Sequence, residues 1–247
     1  MSRALENKVA FITGASRGIG AEIARRLARE GAIVAFTYSS SPQKAAEVAT
    51  EIEAPGGRAL AIQADSADAD ALKKAIQQTV QAFGRLDVMV NNAGVAPIAK
   101  LEKFSLADLD RLIAINIRAA FVGAQEASRH MVEGGRIITI GSCTAERMPF
   151  AGGAPYAMSK AALVGLVRGL ARDLGPRGIT VNNIQPGPID TDMCPANGPA
   201  NEGMRSLLAL NRYGNVEDVA GLVAYIAGPE SGFITGASLT VDGGFTA

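Results

Sequence analysis

Short β-branched runs alternate along the chain with longer stretches whose apolar positions return at helical spacing, as at Ile19, Ile23 and Leu27. The runs predict strands over Lys8–Thr13, Ala32–Thr37, Ala59–Gln63, Leu86–Asn91, Gly135–Gly141, Ile179–Gln185 and Ser238–Val241. Between them the helical period predicts helices near Gly18–Glu30, Pro42–Ala54, Ala67–Phe83, Leu106–Val132, Pro155–Leu174 and Val216–Ala227. Strand and helix taking turns implies βαβ units, hence an α/β fold with one parallel sheet of about seven strands. Val9-Ala10-Phe11-Ile12 and Ile137-Ile138-Thr139-Ile140 are apolar without alternation, as burial on both faces requires. A doubly wound open sheet with helices on both faces is therefore expected, rather than a sandwich. No linker, charge block or repeat divides the chain, so one domain over 1–247 is expected. The irregular stretch is 186–211, where Pro186, Pro188, Pro195 and Pro199 alternate with Gly187, Gly198 and Gly203. Its length predicts a lid over a site, with a solvated surface loop as the bland alternative.

With 247 residues and 48% of them hydrophobic, the chain can bury a sizeable core. Its 24 Lys+Arg balance 24 Asp+Glu, so charge makes no case for nucleic acid or an anionic membrane. Cys143 and Cys194 cannot build a disulfide framework, and Met1 to Asn7 contains no apolar segment that would serve as a signal peptide. No apolar run approaches the roughly 18 residues of a membrane span. A soluble protein of the reducing cytoplasm is expected. The single histidine, His130, would have to carry any Ser/His/Asp hydrolase or multi-histidine metal site alone. It stands in a polar helix end before Gly134 and Gly135, so a solvent-facing structural role is expected and no metal site. Nothing near the two cysteines suggests a depressed thiol pKa, and no redox role is assigned to them.

The candidate chemistry begins after the first strand, in Thr13-Gly14-Ala15-Ser16-Arg17-Gly18-Ile19-Gly20. Glycines in such a turn let backbone approach a pyrophosphate and aim helix N–H groups at it. The second strand ends in Phe36-Thr37-Tyr38-Ser39-Ser40-Ser41, without the carboxylate that would hold a free adenosine ribose and repel a 2′-phosphate. That favours NADP(H) over NAD(H). Tyr156 and Lys160 stand four apart and so share a helix face, where an ammonium is expected to lower the phenol's pKa from its usual value of about 10. Ser142 ends a strand at the carboxyl edge, where open α/β sheets bind ligands. Asn116 interrupts an apolar helix face, and alone reads as an amide satisfying buried backbone.

Thr13-Gly-x-x-x-Gly18-x-Gly20, Asn91-Asn92-Ala93-Gly94 and Tyr156-x-x-x-Lys160 together resemble the short-chain dehydrogenase/reductases, nearest the bacterial carbonyl and 3-oxoacyl-carrier-protein reductase branch. The resemblance runs from Lys8 to Val241-Asp242-Gly243-Gly244 and implies a single Rossmann-like domain. It implies a catalytic set of Asn116, Ser142, Tyr156 and Lys160. Tyr156 would protonate a carbonyl oxygen held by Ser142, Lys160 would hold the nicotinamide ribose, and Asn116 would kink its helix and hold a water leading to Lys160. For the cofactor it implies Gly14, Ser16, Arg17, Gly18, Ile19 and Gly20 at the pyrophosphate, with Arg17 pairing the 2′-phosphate beside Tyr38, Ser39 and Ser40. Asp65 and Ser66 would meet the adenine, although the residues alone would read as a helix cap. Asn92, Ala93 and Gly94 also belong to the cofactor set, as do Pro186, Gly187, Ile189 and Thr191, the last two holding the nicotinamide carboxamide.

Met193, Met204, Leu207 and Leu208 on one side, and Glu146, Arg147 and Met148 on the other, are candidates for walls of a small-carbonyl pocket, with ordinary core packing as the alternative. Arg129, Arg147, Arg205 and Arg212 are too scattered to choose a 3-oxoacyl thioester over small ketones. Arg147-Met148-Pro149, Pro186 to Thr191 and Pro195 to Pro199 are also similar to the biofilm-dispersal members of the family, described as binders of cyclic di-GMP. A nucleotide-binding regulator on the same scaffold is thus the alternative function. The resemblance further implies a homotetramer built on the helices of Asn116 and Tyr156 and on the C-terminal segment.

Overall fold

Strands that are apolar on both sides need a layer of helix over each face, and the chain supplies both. The computed structural model describes residues 3–197 and 201–247. Among them, β1 (Val9–Ile12), β2 (Ile33–Tyr38), β3 (Ala59–Gln63), β4 (Val88–Asn91), β5 (Arg136–Ile140), β6 (Thr180–Pro186) and β7 (Ser238–Val241) form one parallel sheet in the order β3-β2-β1-β4-β5-β6-β7. Helices α1 (Gly18–Arg29), α2 (Pro42–Glu53) and α8 (Val216–Ala227) share a core with Ala10, Ile12, Val34, Phe36 and Ile138. On the opposite face Val9, Phe11, Ala35, Met89 and Ile137 meet α3 (Ala69–Phe83), α5 (Ala119–His130) and α6 (Ala154–Leu174). Neighbouring residues of one strand thus feed different cores, the period-two geometry of a pleated strand. The chain winds outward from β1 to β3 and then crosses back to pair β4 with β1. That reversal opens a crevice beyond the carboxyl ends of β1 and β4, the usual binding place in such sheets.

Element ends follow local chemistry. Helix α3 starts at Ala69, two residues later than the periodicity predicts, because the Asp68 carboxylate accepts hydrogen bonds from Asp70 N (2.9 Å) and Ala71 N (3.0 Å). The helix expected over Leu106–Val132 is interrupted. Helix α4 (Leu106–Ile113) passes into a π turn at Ala114–Arg118 before α5, which stops at His130. The apolar pattern runs through this turn unchanged, so nothing in the spacing marks it. His130, expected to face solvent, is only partly exposed: its side chain is 28% exposed and its Nε2 lies 3.3 Å from Glu126 Oε1. Within 186–211 the chain forms a β-bridge from Ile189 to Gly214 and a tight one from Thr191 to Cys194, then a short helix, α7 (Asn201–Arg205). Gly198 and Pro199, named in that stretch, lie outside the described residues. Among the described residues no helix is long and apolar enough to cross a membrane.

A buried carboxylate ties the crevice strands at their opposite ends. Asp87, just before β4, accepts hydrogen bonds from Val9 N (2.9 Å) and from Arg85 Nε (2.8 Å) and Nη2 (2.6 Å), with Lys8 Nζ at 3.3 Å. Burial pushes its pKa up, but the Arg85 and Val9 hydrogen bonds with the Lys8 charge outweigh that and leave it below the ordinary carboxylate value. A depressed folded-state pKa gives stability that is present above the unfolded value of about 3.9 and is lost as pH falls. Asp87→Asn is therefore expected to cost about 1.5–3 kcal/mol at neutral pH. Urea unfolding at a series of pH values checks this: the gap to the unsubstituted chain should close as the pH drops below about 4.

Candidate functional site

The crevice floor is a knot between the ends of β1 and β4. The Thr13 hydroxyl accepts hydrogen bonds from Asn92 N and Ala93 N, both at 2.9 Å, while Asn92 Nδ2 donates to Thr13 O (2.9 Å) and Gly14 O (3.1 Å). Gly14 N donates to the Thr37 hydroxyl (3.0 Å), which adds β2 to the knot. Gly14 (φ +65°) and Gly18 (φ +57°) occupy the left-handed region that favours glycine. Gly20 is required by space: a Cβ there would stand 2.8 Å from Gly14 O and closer still to Asn92 Nδ2. Helix α1 then starts at Gly18 after an extended Arg17, with no acidic residue in its first turn. Glycines without side chains, backbone turned outward and a helix start free of negative charge make a cradle that fits a pyrophosphate.

The rim of the cradle gathers the other cofactor candidates. At the end of β2, Tyr38 is half-buried while Ser39 and Ser40 are exposed, with no carboxylate from Phe36 to Ser41. Asp65 accepts from Ala67 N (2.9 Å) and lies 3.5 Å from Arg111 Nη2, with Ser66 buried beside it. The cap of α3 is Asp68, so the helix-cap reading of Asp65 and Ser66 is corrected. From the far side, Thr191 reaches the glycine turn, its Cγ2 lying 3.6 Å from where a Cβ on Gly18 would be. Ile189 is buried behind it, and Gly187, following Pro186, packs so tightly on Asp242 that a Cβ would come within 2.6 Å of the Asp242 Cα.

The four catalytic candidates converge at the carboxyl ends of β4 and β5. Ser142 follows β5, and its Oγ accepts from Thr144 N (3.1 Å) and the Thr144 hydroxyl (2.8 Å). Tyr156 and Lys160 lie one turn apart on α6, the Lys160 Nζ standing 5.7 Å from the Tyr156 ring centroid and donating to Ile140 O at 2.9 Å. Gly94 closes the space above: a Cβ there would lie 3.6 Å from both Lys160 Nζ and Asn116 Oδ1. Asn116, inside the π turn, is almost fully buried. Its Oδ1 accepts from Val95 N (2.9 Å), and its Nδ2 donates to Val95 O (2.9 Å) and Ser159 Oγ (3.0 Å). The side chain thus pins the segment after Gly94 to α6.

Electrostatics depart from the expectation that an adjacent ammonium acidifies the phenol. Burial pushes Tyr156 up to about 12, with the hydrogen bond to Ser142 only partly offsetting it, and burial pushes Lys160 down to about 8. The lysine faces the ring and a backbone carbonyl, so desolvation dominates both groups. Burial likewise pushes the Cys143 thiol up to about 12 and raises Cys194, so neither is a reactive thiolate.

Beside these groups Leu208, Tyr213, Phe245 and Cys143 form a small cluster against which Met204 and Leu207 pack, whereas Met193 is 61% exposed. Glu146 accepts from Gln185 Nε2 (3.4 Å), and Arg147 donates to Phe245 O (2.6 Å) while lying over its ring. Two supports, Ser159 for Asn116 and Thr144 for Ser142, escape sequence reasoning, because single hydroxyls in a helix or turn carry no spacing signal.

The family described as enoyl-(acyl carrier protein) reductase matches residues 14–246. A cyclic-di-GMP-binding biofilm dispersal mediator protein of Escherichia coli is 50% identical over 244 residues, covering 99% of each chain. A short-chain dehydrogenase/reductase of Serratia marcescens has 59% identity and a TM-score of 0.98 over 99% of this chain and 100% of that one. A short-chain dehydrogenase of Burkholderia cenocepacia, crystallised with NADP, has 53% identity and a TM-score of 0.98 over the same shares.

The cradle makes one position testable without any ligand. Gly20→Ala is expected to destabilise the chain by about 1–3 kcal/mol, since its methyl overlaps the Asn92 amide and backbone that cannot yield. Chemical denaturation checks it, and an unchanged midpoint would show that the knot relaxes freely. Glycine turn, Tyr/Lys helix face and a match over nearly the whole length agree: the chain belongs to the short-chain dehydrogenase/reductase family.

Proposed function

We propose that this chain is an NADP(H)-dependent carbonyl reductase, converting a ketone or aldehyde to an alcohol with Tyr156 as the general acid. The observation that carries the reading is a half-buried Tyr156 phenol one helical turn from the buried Lys160, whose Nζ stands 5.7 Å from its ring centroid, beside a glycine cradle open to backbone-to-phosphate contact. The NADP complex of the Burkholderia relative supports the cofactor, as does a β2 end with serines and no carboxylate. In this reading Gly14, Ser16, Arg17, Gly18, Ile19 and Gly20 hold the pyrophosphate. Arg17, Tyr38, Ser39 and Ser40 surround the 2′-phosphate, and Asp65 and Ser66 the adenine. Asn92, Ala93 and Gly94 flank the nicotinamide ribose, with Pro186, Gly187, Ile189 and Thr191 at the carboxamide and 186–211 as the lid. When bound, NADPH supplies the hydride.

The chain's own part is a proton and a position. A phenol held near pKa 12 stays protonated at neutral pH, as an acid must. It gives up that proton only to an oxygen turning into an alkoxide, a stronger base than phenolate. Ser142 holds that oxygen on the phenol's side, and Lys160, protonated below about pH 8, holds the ribose hydroxyls. Assembly as a cytoplasmic homotetramer belongs to the same proposal.

Tyr156→Phe should lower NADPH-dependent reduction across a panel of ketones by about 10²–10⁴ in kcat; turnover within a fewfold of the unsubstituted chain would end the assignment. Because Lys160 loses its proton as pH rises through about 8, reduction is expected to decline above that pH, measured as a kcat profile. The 50% identical relative named as a cyclic-di-GMP-binding protein supports a second reading, a nucleotide-binding regulator. Calorimetric titration with cyclic di-GMP separates the two: saturable binding by a chain that turns over no carbonyl would favour the regulator.

A further inference from the structure

An ion pair crosses the rim of the cofactor cradle. Lys44 Nζ lies 3.2 Å from Asp192 Oδ2, although 148 positions separate them. Lys44 belongs to the first turn of α2, three residues beyond the serines that follow β2. Asp192 follows Thr191, which touches the glycine turn from the β6 side. The pair thus joins the two banks between which the cradle opens. Neither side chain has another polar partner among the described residues, and both are well exposed, at 50% and 68%. Such pairs are weak, typically 0.2–1 kcal/mol, so Lys44 is held loosely. The first turn of α2 contains no acidic residue, and Ser41 at its cap makes no side-chain cap bond.

The two nicotinamide coenzymes differ, at this bank, by one phosphate. A 2′-phosphate carries close to two negative charges and accepts charge-assisted hydrogen bonds, whereas the competing Asp192 carboxylate carries one. The free 2′-hydroxyl of NAD(H) offers Lys44 no such advantage. We propose that Lys44 is a specificity-determining residue that exchanges Asp192 for the 2′-phosphate when NADP(H) enters, so that the pair acts as a competitor for the lysine in the free chain. The proposal rests on the cofactor reading above. It adds a residue in α2 to that reading, along with a carboxylate whose removal should improve binding.

Binding, read by calorimetry and by nicotinamide fluorescence, tests it on the full chain with NADPH, NADH, 2′,5′-ADP and 5′-AMP. Lys44→Gln is expected to weaken NADPH and 2′,5′-ADP about tenfold while leaving NADH and 5′-AMP unchanged. Asp192→Asn is expected to tighten NADPH about 1.4- to 5-fold by freeing the lysine, the factor that corresponds to an exposed pair. Raising salt should shrink both effects. Equal weakening of NADPH and NADH by Lys44→Gln would overturn the proposal, making the pair a simple strap, and so would unchanged NADPH binding. Failure of the unsubstituted chain to bind either coenzyme would instead defeat the cofactor reading. Both sites are exposed, so an unaltered melting temperature verifies that the variants are folded.

Discussion

In a parallel sheet every strand points the same way, so the carboxyl ends crowd one edge and their backbone must be satisfied by something other than a neighbouring strand. In this chain the Thr13 hydroxyl does that for β4 by accepting two N–H groups, and the Asn92 amide answers by holding two carbonyls of the β1 end. The glycine turn can be open to a ligand because this knot, and not the turn's own side chains, fixes its path. Gly20 lets α1 lie against the knot, and Gly94 lets the next segment lie against Lys160 and Asn116. Remove the reciprocal Thr13–Asn92 bonds and the cradle, the α1 start and the floor under the lysine all lose their common anchor.

The same crowding sets the electrostatics. Asn116 and Ser159 hold the segment after Gly94 down over α6, and Ile140 O takes a hydrogen bond from Lys160, so the lysine is buried without an anion beside it. Its pKa falls and that of the phenol rises, both through desolvation. The pair therefore combines a firmly protonated acid with a cation whose charge is marginal just above neutrality. Chemistry that donates a proton suits the first, and binding that weakens in alkali suits the second.

Much of this was legible in the sequence. Strand positions and the two-sided burial follow from apolar runs, and the turn and the Tyr156/Lys160 face follow from spacing. Other features have no local trace. The π turn at Asn116 adds its extra residue inside an unbroken apolar pattern, because the force that makes it is tertiary: Val95 and Ser159 capture the amide. Helix α7 lies in a stretch dense in Pro and Gly. Asp65 and Asp68 compete for one cap, and only coordinates show that Asp68 wins. His130 looks polar and exposed until Glu126, a turn earlier, is seen to be buried. Spacing puts a cation near a phenol but cannot say how far each is desolvated, and desolvation reverses the expected direction of the Tyr156 shift.

The central claim is that Tyr156 is a firmly protonated acid before any ligand arrives. Carbon-13 NMR of ring-labelled tyrosine measures this directly, with the four tyrosines assigned by single substitutions to phenylalanine. In the ligand-free chain the Tyr156 ζ-carbon is predicted to keep its phenol shift as pH rises past about 10. A Tyr156 signal that turns to phenolate near neutral pH would contradict the account.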